Sequence, residues 1–215
     1  LNFFMLRKSD SRPADWVPNL EVYFSQSAYF FVLIIGVLLF GLIASYVFNR
    51  EFQDNTLKSI LTVPVNRMKL LIAKWLVVLI WIEALMTFSY LIIICSGFFG
   101  DFQPYNLQVL TDGLILQLVV GLISMALTMP VIFLAVYYKN FVPSIAFTVI
   151  VSMTSLILIQ SKYAVFFPWT AALIVANTKI SVPVYPGYYP YLTLMLTIIL
   201  SSVPTLIYFQ RKDIG

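Results

Sequence analysis

The sequence predicts an all-α polytopic membrane protein, and three observations carry that reading. Of the 215 residues 61% are hydrophobic and only 10% charged, well beyond the apolar share of a soluble domain, and the mean hydropathy is +0.94. Five apolar runs are long enough for the ~20 helical residues that a bilayer crossing needs. Between the first two runs lies one polar, basic island, residues 49–69, which lipid would not accept and which must face water.

Taken in order, the predicted spans are 28–48, 70–99, 114–138, 141–161 and 191–209. The second begins among basic residues and holds Glu83 near its middle; the other four carry no charge. A sixth apolar stretch, 163–178, is too short to cross and contains Pro168, so it reads as a re-entrant or interfacial helix before the last span. Aromatic residues around Pro186 and Pro190, and Phe166, Phe167 and Trp169 around Pro168, suit the headgroup layer. The whole chain reads as a single transmembrane domain.

The Lys/Arg bias sets the orientation. With the island in the cytoplasm, eight of the thirteen basic residues lie inside, five of them (Arg50, Lys58, Arg67, Lys69 and Lys74) in or beside the island. The 100–113 loop, with Asp101 and Asp112 and no basic residue, suits the outer side. Five spans ending inside would put Leu1 outside, so a further span, largely missing here, is expected before it, giving six. The alternative is that residues 1–20 form a cytoplasmic amphipathic arm, which would invert the arrangement. Residues 1–6 are followed rather than preceded by charges, which does not fit a signal peptide.

Composition also removes whole classes of chemistry. The chain has no histidine, so His-based metal sites, His general bases and Ser-His or Cys-His nucleophile pairs are excluded. Its lone cysteine, Cys95, sits in an apolar run and allows no internal disulfide. No glycine is followed by lysine, so a phosphate-cradling loop of the Walker type is absent, and any nucleotide must be bound by another subunit. The pI near 9.1 does not point to nucleic acid, because the net charge is only +4 and the basic residues form no stripe.

Within the island, Asp54 or Asn55 can cap a helix start and Pro64 ends the helix, since proline disfavours helical geometry in the residue before it. Thr56–Val63 would make about two turns, with Leu57, Ile60 and Leu61 on one narrow apolar face and Lys58 and Ser59 turned away. So short a helix is not stable alone; it rests either on a protein partner or on the membrane surface.

Here the residues carry a likeness. Glu51, Asp54, Thr56, Lys58, Leu61, Pro64 and Arg67, followed by Ala73-Lys74, at these spacings resemble the loop after the second span of type-2 ABC exporter permeases. The ending Tyr208-Phe-Gln-Arg-Lys-Asp-Ile214 resembles that family's short cytoplasmic tail. The small permeases of bacitracin, lantibiotic and cytolytic-peptide exporters look most similar. One departure is Asn55, where the family usually has glycine; asparagine tolerates the same left-handed backbone. The resemblance implies that Leu57, Ile60 and Leu61 seat in a groove of a separate ATP-binding cassette subunit, with Glu51, Asp54, Thr56, Lys58 and Arg67 around that contact. It also implies that ATP and magnesium bind on that partner and no cofactor in this chain, that two permease copies work together, and that the assembly sits in a bacterial cell membrane with its coupling loop and C-terminus inside. Membrane lipid is a further expected partner and nucleic acid is not.

Polar residues within the spans give the remaining candidates. Glu83 lies roughly mid-membrane, where a charge costs about 2.5–3.5 kcal/mol on insertion scales. Either it lines a substrate path together with Gln117, or it is held by a hydrogen bond from Gln117, Ser124 or Thr128. Ser144, Thr148, Ser152 and Ser155 form one small polar stripe, read as helix packing or a dimer seam. Gly36, Gly41 and Ser45 favour close packing in the first span, and Pro130 and Pro204 mark expected kinks.

The expected function is the permease subunit of an ATP-driven exporter of a hydrophobic or amphipathic cargo, such as an antimicrobial or cytolytic peptide. The alternative is an ion-coupled transporter or channel using Glu83, although no matched pair of broken helices marks the inverted repeats it would need. An intramembrane enzyme is disfavoured by the lack of histidine and of a second intramembrane acid.

Overall fold

A computed structural model describes residues 19–53, 67–100, 102–103, 105–176 and 185–211. Among these the chain is predominantly helical, with four helices long and apolar enough to cross a membrane and a shorter apolar one near the end.

The first long helix is built of three pieces. Helix α1, Leu20–Phe30, starts where the Asn19 side chain accepts from the backbone N–H of Glu21 (2.8 Å). That cap satisfies an otherwise orphan donor, and Glu21 in the first turn complements the helix dipole. The backbone then widens into a π turn, Phe31–Gly36, and narrows again into α2, Val37–Gln53. Helix α3, Arg67–Phe99, is unbroken over 33 residues, about 50 Å at 1.5 Å per residue. That exceeds a hydrocarbon core of about 30 Å, so its basic first turns extend beyond the apolar layer.

Helix α4, Leu107–Ala126, is capped by Asn106, whose side chain accepts from Val109 N–H (2.7 Å). It breaks at Leu127–Thr128, and the chain resumes directly as α5, Met129–Tyr138, with Pro130 in its first turn, where its missing N–H costs nothing. The expected kink at Pro130 is therefore a helix restart just ahead of the proline. Lys139, in the left-handed conformation (φ 51°), turns the chain, and Asn140 caps α6, Phe141–Leu158. A 3-10 turn, Lys162–Phe166, leads to α7, Pro168–Ala176. Nine residues rise only about 14 Å, and Trp169, Thr170, Ala171, Ala172 and Leu173 are buried among neighbouring helices. Helix α8, Tyr189–Arg211, continues through Pro204.

Successive long helices run antiparallel. Leu20 N–H donates to Gln103 O (2.9 Å) at one end, and the end of α2 meets the α5–α6 corner and the first turns of α3 at the other. Helices packed in lipid gain little from apolar burial against one another and rely on close approach. The α2–α6 contact shows how: a Cβ on Gly41 would collide with Thr148. All four members of the small polar stripe, Ser144, Thr148, Ser152 and Ser155, are buried within the chain. The stripe is thus consumed by packing inside one copy, and no dimer seam is needed to explain it.

Candidate functional site

The polar island enters and leaves the bundle through two anchored helix ends. Asn49, at the end of α2, is 1% exposed. With its amide nitrogen turned toward Lys139 O (3.2 Å), its oxygen accepts from Phe141 N–H (2.6 Å) and Asn140 N–H (3.1 Å). One carboxamide therefore ties the α2 end to the corner joining α5 and α6. On the other side, Lys74 is almost buried, with its ammonium 5.5 Å from the centre of the Phe48 ring, a favourable cation–π contact. Phe48, Ala44, Leu71 and Val78 belong to the same apolar core, so the first turns of α3 and the last turns of α2 are packed together.

Of the island residues, Glu51 lies in the last turn of α2 and Arg67 opens α3. Asp54, Thr56, Leu57, Lys58, Ile60 and Leu61, together with the two-turn helix expected there, lie outside the described residues.

Glu83 lies on α3 against α4, and the reason it fits is Gly121. A Cβ at that glycine would come within 2.7 Å of a Glu83 carboxylate oxygen. Both carboxylate oxygens are buried, and neither has a hydrogen-bond partner among the described residues. Two of the three candidate donors are engaged elsewhere: Gln117 donates to Ser89 Oγ (3.4 Å) and Thr128 to Met125 O (2.7 Å). Gln117 is 1% exposed and its own side-chain oxygen is unpartnered. Glu83, seated against Gly121, and Gln117, one turn from Gly121 along α4, thus share the α3–α4 contact and leave buried acceptors in excess of donors. Gly121 was not singled out by sequence, although its spacing of four from Gln117 is a usable signal.

At the opposite end from the island, α1 and α4 leave an open cleft of about 280 Å³. Phe24 and Leu116 line it, Glu21 and Asp112 are on its wall, and Ala176 of α7 closes one side. Beneath it Tyr23 bonds Ser96 (2.7 Å), Tyr90 donates to Leu110 O (2.8 Å) and Phe24 stacks on Tyr90 at 5.6 Å. Tyr105, which donates to Ile94 O (3.3 Å), has its pKa raised chiefly by burial.

Several helices long and apolar enough to cross a membrane, with two anchored helix ends flanking the polar island, make this a multi-pass membrane protein. The family model for ABC-2 family transporter proteins matches residues 2–155, and the chain belongs to that family. It is also similar to the bacitracin transport permease protein BCRB of Bacillus licheniformis, 37% identical over 191 residues, covering 89% of this chain and 91% of the relative. No solved structure matches the chain. The protein is accordingly an ABC transporter permease and a multi-pass membrane protein, a transport subunit rather than an enzyme.

Proposed function

We propose that this permease exports a hydrophobic or amphipathic cargo, an antimicrobial or cytolytic peptide, driven by ATP hydrolysis on a separate ATP-binding cassette subunit. ATP and magnesium bind on that subunit, and two permease copies form the pathway in a bacterial cell membrane. Similarity to a bacitracin transport permease over nine-tenths of both chains supports the cargo class.

The observation that carries the coupling is the anchoring of both helix ends that flank the island. A push on residues 54–66 reaches α2 and the α5–α6 corner through Asn49 and α3 through Lys74. In this reading the island faces the cytoplasm. Leu57, Ile60 and Leu61 seat in the ATPase, while Glu51, Asp54, Thr56, Lys58 and Arg67 surround the contact. Glu83 and Gln117 line or gate the cargo path.

Co-purification with the ATPase subunit and ATP-dependent efflux test this directly. Leu57→Asp with Ile60→Asp is expected to abolish both while leaving membrane insertion intact. A permease that purifies without an ATPase, and transports equally well with both aspartates, sinks the proposal. A deletion strain screened against peptide antibiotics identifies the cargo, with hypersensitivity to one class as the expected result. The rival reading, ion-coupled transport through Glu83, draws only on the unpartnered carboxylate. It gains if Glu83→Gln abolishes transport while ATPase association and hydrolysis are unchanged.

A further inference from the structure

Two of the long helices are interrupted, and the interruptions meet. Val37 and Gly41, just past the π turn, share one small void with Leu127 and Thr128 at the α4–α5 break, bordered by Thr148 of α6 and Trp169 of α7. The void is about 10 Å³, room for about one water at most.

Each interruption is also where its helix changes partners. Before it, α1 packs on α3 and α4; after it, α2 packs chiefly on α6 and α5, and on α3. Likewise α4 packs chiefly on α3, α7 and α1 and only slightly on α2, whereas α5 packs on α8, α6 and α2. The halves nearest the island, α2 and α5 with α6, form one packed group, and the distal halves, α1 and α4, form another. Among the described helices, α3 runs unbroken beside α1, α2 and α4. Within the first group the coupling is tight: Gly41 lets Thr148 touch the α2 backbone, and Asn49 clamps the α5–α6 corner. At the boundary, Ser152 of α6 donates to Leu33 O (2.6 Å) inside the π turn. At the break, Thr128 N–H and its hydroxyl both donate to Met125 O (3.0 and 2.7 Å). Both sites keep their polar groups bonded while departing from the regular i→i+4 ladder, the condition under which a helix bends at low cost.

We propose that the π turn and the Leu127–Thr128 break form one transverse joint, across which α2, α5 and α6 move together relative to α1 and α4. The joint rests on the packing alone; that ATP drives it rests on the reading proposed above. Motion of the island is then transmitted to half of each helix, not to a rigid full-length span.

Two measurements on the assembled transporter in nanodiscs separate these points. Spin labels in a Cys95→Ser background at Val22 with Tyr46, and at Ile115 with Tyr137, report across the joint; Tyr46 with Tyr137 reports within the moving group. Trapping with Mg-ATP and vanadate is expected to shift both cross-joint distances by several ångström and leave the third unchanged. Amide exchange at 31–37 and 127–132 is expected to be about tenfold faster than at 78–90 of α3, and Ser152→Ala to accelerate 31–37 further. Fast exchange with no distance responding to nucleotide supports the joint and refutes the ATP drive. Exchange as slow as in α3, or nucleotide-dependent changes confined to other pairs, overturns the joint.

Discussion

Asn49 is the residue on which most depends for its size. It carries no charge and sits at the edge of the island, yet it satisfies three backbone groups at a corner where Lys139 is held in a left-handed conformation. Removing its amide gives up these bonds at the corner, each worth about 0.5–1.5 kcal/mol. Asn49→Ala is therefore expected to lower the unfolding midpoint in detergent and weaken coupling of efflux to ATP hydrolysis; a variant with wild-type melting and efflux contradicts the clamp. Gly121 is the second such position. A side chain there meets the Glu83 carboxylate, and overpacking costs typically about 1–3 kcal/mol. Gly121→Leu should destabilise the fold, and Glu83→Ala in the same chain should recover part of the loss. A purely additive double variant would show that the two residues do not touch. Glu83 stands out in the sequence by its charge, whereas Gly121 is marked only by its spacing of four from Gln117, which does not say what approaches it.

At the scale of elements, apolar runs located the helices but not their ends or interruptions. The first helix starts at Leu20, ahead of the apolar run at 28–48, because Asn19 and Glu21 supply a cap and a favourable first-turn charge. That signal, Asn-Leu-Glu, was legible and is weaker than hydropathy only because Glu21, Ser25 and Gln26 dilute the pattern. The π turn at Phe31–Gly36 had no signal of its own: six apolar residues are equally compatible with an α-helix. It is stabilised from outside, by Ser152 on a helix more than a hundred residues away. The break at Leu127 was foreseeable through Pro130, which starts a helix more readily than it continues one. The cluster at the Leu20 end makes a separate prediction at this scale. Tyr90→Phe removes the bond to Leu110 O (2.8 Å) and should cost about 0.5–1.5 kcal/mol, read as a small fall in melting temperature with transport retained. Loss of folding would mean that the hydroxyl does more than tie α3 to α4.

For the whole molecule, orientation is the quantity that everything else depends on, and charge is what sets it. With the island inside, single cysteines replacing Lys58 and Lys139 in a Cys95→Ser background should react with an impermeant maleimide only after the cell is opened. A cysteine replacing Asp112 should react in intact cells. The reverse pattern inverts the topology and removes the island from any cytoplasmic ATPase.

Sequence by itself determined that this is an all-α membrane protein with several apolar helices and one polar, basic island between the first two. Hydropathy, helix length and charge bias are local sums that need no fold to be evaluated. The likeness to ABC exporter permeases was carried by spacings within that loop, and it agrees with the family to which the chain belongs. Tertiary structure alone decided that the polar stripe is spent inside one copy, that Asn49 ties α2 to a distant corner, and that two interrupted helices change partners at one level. Each of these is a property of pairs far apart in the chain. In lipid, where apolar surface does not choose between neighbours, close contacts between small residues and a few directed hydrogen bonds select which pairs meet.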